Sequence, residues 1–336
     1  MTTPTTHTPR RTPVKLSHLV GALPVAALLL LTACTSSAEI ESEARADAAG
    51  GSAAETALVV DTSPEQADRV TTDEDPDAAA LVPADIAEDG VLRVGVNGAG
   101  DPPLGFLADD NATVVGSEVD IAQLVADGLG LELEIVNTTW EAWPLGVQSG
   151  DLEAVFSNVG VNAERLQLFD FATYRQGIMA FIAAPDSGLD ITDAAGISGL
   201  RVGVGSGTNQ ERILLDWNAE LEAAGEEPAT LDYYVSAADA LLAIQSGRLD
   251  TYIGPNPNAV YQESVGDLEI VGSVNAGWPN TTYVAATVLK GNGLAEAIQA
   301  SLQHSFDDGT YAETLERWGL TDEAVEAPEV NPTVAS

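Results

Sequence analysis

Leu92-Arg93-Val94-Gly95-Val96 recurs letter for letter as Leu200-Arg201-Val202-Gly203-Val204. Each copy reads as a short buried strand with β-branched alternation, followed by a glycine-rich loop and then a helical stretch. A second pair runs in the same order: Gln148-Ser149-Gly150-Asp151-Leu152-Glu153 matches Gln245-Ser246-Gly247-Arg248-Leu249-Asp250 in type. In both copies the glycine stops a helix and a new strand begins. One such pair could arise by chance; two in the same order predict two related α/β lobes.

Working outward, the first lobe offers strands at 92–97, 131–136 and 152–157 with helices at 118–129 and 142–149 between them. The second offers strands at 200–204, 231–235 and 249–253 with helices at 210–223 and 238–246. A strand at 283–289 and helices at 294–306 and 311–318 follow. Such alternation builds open, mostly parallel, doubly wound sheets with helices on both faces. Ligands favour the carboxyl ends of the strands in such sheets, so the cleft between two lobes is the natural site.

Composition narrows the function. The 336 residues carry 13 Lys+Arg against 52 Asp+Glu, a net charge of −39, which repels phosphate backbones and argues against nucleic-acid binding. At 45 % hydrophobic the chain is rich enough for a real core. Cys34 is the sole cysteine, and after it only His304 remains of the three histidines. Structural zinc, disulfides, Cys–His chemistry and most Ser-His-Asp schemes are thereby excluded, unless His304 alone serves. No cofactor or metal is expected. The run Gly203-Val204-Gly205-Ser206-Gly207 lacks the full G-x-G-x-x-G spacing of a dinucleotide loop, and there is no G-x-x-x-x-G-K-[ST].

The ends read differently from the middle. Arg10, Arg11 and Lys15 precede an apolar run at 19–31, the pattern of a secretory signal and too short to span a membrane well. The run ends Leu31-Thr32-Ala33-Cys34, which resembles the bacterial lipobox; the alternative is an ordinary signal peptide with a chance cysteine. On the first reading Cys34 carries a diacylglycerol thioether and an N-acyl chain, the two-chain anchoring that stable attachment needs. From Thr35 to Ala78 acids alternate with Ala, Ser, Gly and Thr, a composition too polar to offset ordering entropy. The expected organisation is a signal peptide at 1–33, a disordered lipid-anchored tether at 34–88, lobe one at 89–177 and 279–320, lobe two at 178–278, and a loose tail at 321–336.

Between Val91 and Leu320 an ordered series of motifs resembles the extracellular solute-binding proteins, family 3, which serve polar amino-acid ABC transporters and have the type 2 periplasmic binding fold. The series includes Pro102-Pro103-Leu104-Gly105-Phe106, Gly116-Ser117-Glu118-Val119-Asp120, Glu164-Arg165 leading to Phe169-Asp170-Phe171-Ala172-Thr173-Tyr174, and Asp308-Gly309-Thr310-Tyr311 before Trp318. The resemblance implies that the chain crosses between the lobes near 177–181 and again near 278–284. It also implies a carboxylate clamp at Arg165, with Ser157 and the backbone of Gly160 beside it. Guanidinium independently suits that task, since its fork of donors matches a carboxylate; a surface ion pair is the alternative for Arg165.

Thr208 and Asn209 open the second-lobe helix, where free N–H groups favour an anion or Thr208 is a plain N-cap. The resemblance puts Trp143 on the lobe-one wall with Trp140 beside it and Trp278 at the second crossing, each with core packing as its alternative. Two positions depart from the family. Leu104 stands where an aromatic is common, and Pro255 where an acid commonly takes the ligand ammonium. That leaves an ammonium to amides such as Asn256, to another acid such as Asp101 or Glu118, or to aromatic faces.

The expected function is therefore a monomeric, membrane-anchored binding protein on the extracytoplasmic face. It would capture a small carboxylate-bearing solute, an amino acid first of all, and deliver it to ABC permease subunits. An enzyme on the same fold, of cyclohexadienyl dehydratase type, and a ligand sensor for a membrane receptor are the alternatives.

Overall fold

The computed structural model describes residues 59–334 apart from Asp267. The leader, Cys34 and the tether up to residue 58 lie outside the described residues. The first lobe is built on strands β1 (Val91–Asn97), β4 (Glu132–Thr138), β5 (Ala154–Val155), β6 (Phe169–Gln176) and β12 (Tyr283–Leu289), in the order β4-β1-β5-β12-β6. The second uses β7 (Ile178–Ala183), β8 (Arg201–Val204), β9 (Thr230–Tyr233), β10 (Thr251–Pro255) and β11 (Glu269–Asn275), in the order β11-β7-β10-β8-β9. A small hairpin, β2 (Phe106–Leu107) with β3 (Val114–Val115), closes the loop after β1. In each five-stranded sheet four strands run in one direction and one runs against them, β12 in the first lobe and β7 in the second.

The two repeated motifs turn out to be halves of one interaction. A side chain on Gly95 would stand 2.7 Å from the Leu152 methyl, and one on Gly203 would stand 2.6 Å from that of Leu249. The glycine of the first motif thus makes room for the leucine of the second. The acid that ends the second motif then returns to the arginine of the first: Glu153 accepts the Arg93 N–H (2.6 Å), and Asp250 the Arg201 N–H (2.8 Å). Each acid also pairs with its arginine's guanidinium, at 3.3 and 3.1 Å.

Helices cover both faces of each sheet. In lobe one, α3 (Ser117–Gly128), α8 (Leu294–Asp308) and α9 (Thr310–Arg317) bury Ile121, Val125, Ile298 and Leu302 with Trp318 on one face, and α4 (Trp143–Ser149) packs Trp143 and Val147 on the other. In lobe two, α5 (Asn209–Ala224) presents Ile213, Leu214, Trp217 and Leu221 at helical spacing to Phe181 and Ile253. The opposite face is closed by α6 (Ala237–Gln245), and α7 (Asn256–Val265), which the periodicity had not marked, adds Ala259 to it.

The chain leaves lobe one at Gly177 and returns through 276–282. The two crossings are bonded to one another: Gly177 N–H donates to the Thr282 carbonyl and Ala276 N–H to the Gly177 carbonyl, both at 2.9 Å.

Both ends of the described chain correct the expectation of loose segments. Within the supposed tether, residues 59–88 lie on lobe one, with short helices α1 (Pro76–Ala79) and α2 (Ala84–Asp89) whose Ala78 and Ile86 enter its core. Arg69 bonds the buried Asp120 carboxylate (2.7 Å), which also accepts from Arg317 (2.8 Å) and the Trp318 indole (2.9 Å). Composition averaged over the stretch hid these few anchors, and Asp120 would otherwise be a buried charge without enough partners.

The tail at 321–334 likewise folds back. It runs along the free edge of β6, where Thr173 N–H donates to the Glu329 carbonyl (2.9 Å) and Asn331 N–H to that of Phe171 (3.0 Å). Covering an exposed strand edge is the physical reason for its order. Glu323 of this tail is buried against Arg175, which is itself 0 % exposed and also holds Glu118 at 3.2 Å. Burial alone would push the Arg175 guanidinium down, but the Glu323 and Glu118 carboxylates outweigh that and hold it up.

Removing one partner of a buried ion pair costs about 3–5 kcal/mol, so Glu323→Ala is expected to destabilise the protein by that order in urea denaturation, with Glu323→Gln losing less. A denaturation midpoint unchanged in Glu323→Ala would make the tail a bystander.

Candidate functional site

A cavity of about 160 Å³ lies between the lobes, at the carboxyl ends of β1, β8 and β10. Of the residues expected to form a site, Leu104, Trp140, Ser157, Gly160, Arg165, Thr208 and Asn209 line it. Lobe one supplies the first five, and lobe two supplies the loop and first turn of α5.

Arg165 opens a single 3₁₀ turn, Arg165–Gln167, fixed by the Asn162 side chain accepting the Arg165 N–H (2.8 Å). Its guanidinium donates to the Gly160 carbonyl (2.7 Å) and, across the cleft, to the Gly207 carbonyl (3.1 Å). It lies over the Trp140 ring at 5.1 Å, a cation–π arrangement. Among the described residues it pairs with no carboxylate. Burial pushes it down to about 10, the charge of Arg212 adds to that, and Glu164 opposes it. A partly desolvated cation held in place without a counter-charge has the chemistry to seat an anion.

The other wall residues are held by their own bonds. Ser157 accepts the Asn97 N–H (2.8 Å). A side chain on Gly160 would meet the Asn209 side-chain amide at 2.6 Å, so the glycine lets lobe two come this close without displacing that amide. Asn162 donates to Asn209 across the same gap (3.0 Å). Thr208 is an N-cap, accepting the Glu211 N–H (3.1 Å) while Glu211 takes the Gly207 N–H (2.6 Å). The helix start therefore carries its own acid, and less of its positive end is free for a ligand than the sequence implied.

Three expected residues stand elsewhere. Trp143 is buried behind Trp140, outside the cavity lining but with its ring 5.9 Å from the Arg165 guanidinium and 5.1 Å from the Phe169 ring, because the first turn of α4 faces the sheet. Trp278 packs edge-on against Trp217 (5.7 Å) in the core of lobe two. Asn256 opens α7 and donates to Glu323 (2.9 Å), outside the cavity.

Sequence reasoning passed over Tyr234, which follows β9 at its carboxyl edge, and Tyr252 within β10; both line the second wall. It named Asp101 and Glu118 only as substitutes for a missing acid. Both face the cavity. Glu118 is already engaged: it accepts from Arg175, the Tyr174 hydroxyl and the Asn158 N–H. Asp101 has no such partner for its Oδ2, and burial pushes its carboxyl up. Burial and the Asp101 charge raise the neighbouring Tyr252 hydroxyl to about 12.

Comparison with known proteins places this geometry. Residues 92–321 match the family described as bacterial extracellular solute-binding proteins, family 3. The arginine-binding protein ArgT of Corynebacterium glutamicum is 29 % identical over 272 residues, covering 80 % of this chain and 87 % of that one. The L-cystine-binding protein TcyJ of Escherichia coli is 28 % identical over 239 residues, covering 69 % and 84 %. Among solved structures, an ancestral arginine-binding protein bound to arginine superposes with a TM-score of 0.58 at 28 % identity, covering 68 % of this chain and 98 % of that one. With its two doubly wound lobes, its twice-crossed hinge and a solute-sized cleft between them, the chain belongs to the bacterial extracellular solute-binding proteins of family 3.

Proposed function

We propose that this protein is the substrate-binding lipoprotein of an ABC importer. It captures an amino acid between its lobes, seats the carboxylate on Arg165 and hands the closed form to a membrane permease. Its role is capture and release. The observation that carries the reading is Arg165 itself, a fixed, desolvated guanidinium at the cavity wall that pairs with no carboxylate among the described residues. The arginine- and cystine-binding relatives support an amino acid as the solute. Binding energy spent on drawing Gly207 and Asn209 toward Arg165 and Asn162 couples occupancy to closure, the form a partner can read. Cys34, as the lipidated residue, keeps the protein on the extracytoplasmic face of the cell membrane.

Truncating one side of a desolvated charged pair costs about 2–5 kcal/mol. Arg165→Ala should therefore bind the tightest of a panel of L-amino acids and L-cystine about thirtyfold more weakly or worse, by calorimetry. Arg165→Lys should recover only part, because an ammonium lacks the fork. Wild-type affinity in Arg165→Ala would remove the carboxylate seat. Anchoring is tested separately: Cys34→Ala should move the protein from the membrane fraction to the soluble one, and unchanged membrane association would sink the lipoprotein reading.

A further inference from the structure

The charges that face the cavity are unevenly divided. Asp101, Glu118, Glu141 and Arg165 all stand on lobe one. The wall from lobe two, which includes Met179, Ser206, Gln210, Tyr234, Tyr252 and Asn258, carries no charged side chain. Glu118 already has Arg175, the Tyr174 hydroxyl and the Asn158 N–H as partners, and Glu141 is exposed to solvent. Arg165 is the carboxylate seat. That leaves Asp101.

Its Oδ2 is sealed from solvent and bonded to nothing, and no Lys or Arg among the described residues pairs with it. A half-buried carboxylate with one oxygen sealed off and no counter-charge is destabilising in the empty protein and is satisfied only when a cation arrives. The loop that carries it is held from the far side of the cleft, where Asn258 donates to the backbone carbonyls of Asp101 (2.5 Å) and Pro102 (3.0 Å). Asp101 also borders a small side chamber lined by Ala180, Ile182, Leu241 and Ala259. None of Trp140, Gly160, Arg165 and Asn209 borders that chamber, so the negative and positive seats occupy different parts of one cavity.

We propose that Asp101 receives a cationic nitrogen of the solute, so that lobe one takes both charges of a zwitterion and lobe two closes over it with uncharged groups alone. This rests on the reading of the cleft as an amino-acid site. It assigns selectivity for charge to lobe one. Lobe two, reaching the solute through groups such as Met179 and Gln210, sets the overall strength of closure without distinguishing charged from neutral analogues.

The test is calorimetry on the full chain with L-arginine, L-lysine, L-cystine and L-glutamine. The tightest binder is then compared with two analogues, one with hydroxyl in place of the α-ammonium and one with a neutral side-chain isostere, such as L-citrulline for L-arginine. Asp101→Asn should weaken the parent about tenfold or more, and the loss should shrink to about twofold or less for the analogue lacking the nitrogen that Asp101 holds. Whichever analogue shows this tells an α-ammonium from a side-chain cation. The empty Asp101→Asn protein should melt above the wild type, since a buried unpaired charge has gone; this also confirms that the variant folds. Gln210→Ala should weaken parent and analogues by one common factor. Equal losses in Asp101→Asn for parent and both analogues, or parent affinity within about twofold of wild type, would overturn the proposal while Arg165→Ala still tests the carboxylate seat. If none of the panel binds the wild type, the amino-acid reading falls and this proposal with it.

Discussion

Arg175 is the group on which the arrangement of the cleft depends. It sits fully buried at the end of β6, two residues before the chain crosses at Gly177, with Glu118 of the cavity wall on one side and Glu323 of the tail on the other. Its second nitrogen also reaches the Asn158 side chain at 2.6 Å, and Asn158 holds a left-handed backbone conformation (φ +51°) beside the cavity. Asn256 of lobe two bonds the same Glu323. One desolvated guanidinium thus ties the pocket wall, the hinge and the tail together, and in a low-dielectric interior removing any of these partners leaves a buried charge exposed to the cost of desolvation.

The buried Arg175 and the half-buried Arg165 show how the same side chain is put to opposite uses. Arg175 has two carboxylates and is held strongly cationic. Arg165 has two backbone carbonyls, an aromatic face and no carboxylate among the described residues, and its affinity for the proton drops to about 10. Carbonyl dipoles and a π face orient a guanidinium without neutralising it. Compensation makes the first a structural tie. Orientation without compensation leaves the second open to an anion that the protein does not itself supply.

Much of this was legible in the sequence because it depends on short segments. The strand-and-helix alternation followed from the paired motifs, and the repeated glycines, leucines and acids proved to be mutual contacts within each lobe. Residues in the loops just past strand ends, such as Ser157 after β5 and Thr208 between β8 and α5, reached the cavity for the same reason. What failed depended on partners far along the chain. Trp143 and Trp278 lie near the cleft in sequence, but nothing local says which face of a turn meets a core. The order of residues 59–88 rests on Arg69 meeting Asp120, and that of the tail on Glu323 meeting Arg175, pairings that no composition window can register.

The replacement of an expected acid by Pro255 acquires a physical sense once the loop opposite is considered. Pro255 ends β10 and leads into α7, which has a further proline, Pro257, in its first turn, where a missing N–H costs little. That start aims Asn258 across the cleft at the carbonyls of Asp101 and Pro102. An acid at 255 would have put a second carboxylate at the edge of a cavity in which Asp101 is already desolvated and unpaired, and like charges in a site of low dielectric oppose one another's ionisation. A neutral amide avoids that repulsion and can still grip the loop. Lobe two therefore brings no charged side chain to the cavity wall; its Asn258 holds in position the loop that carries Asp101.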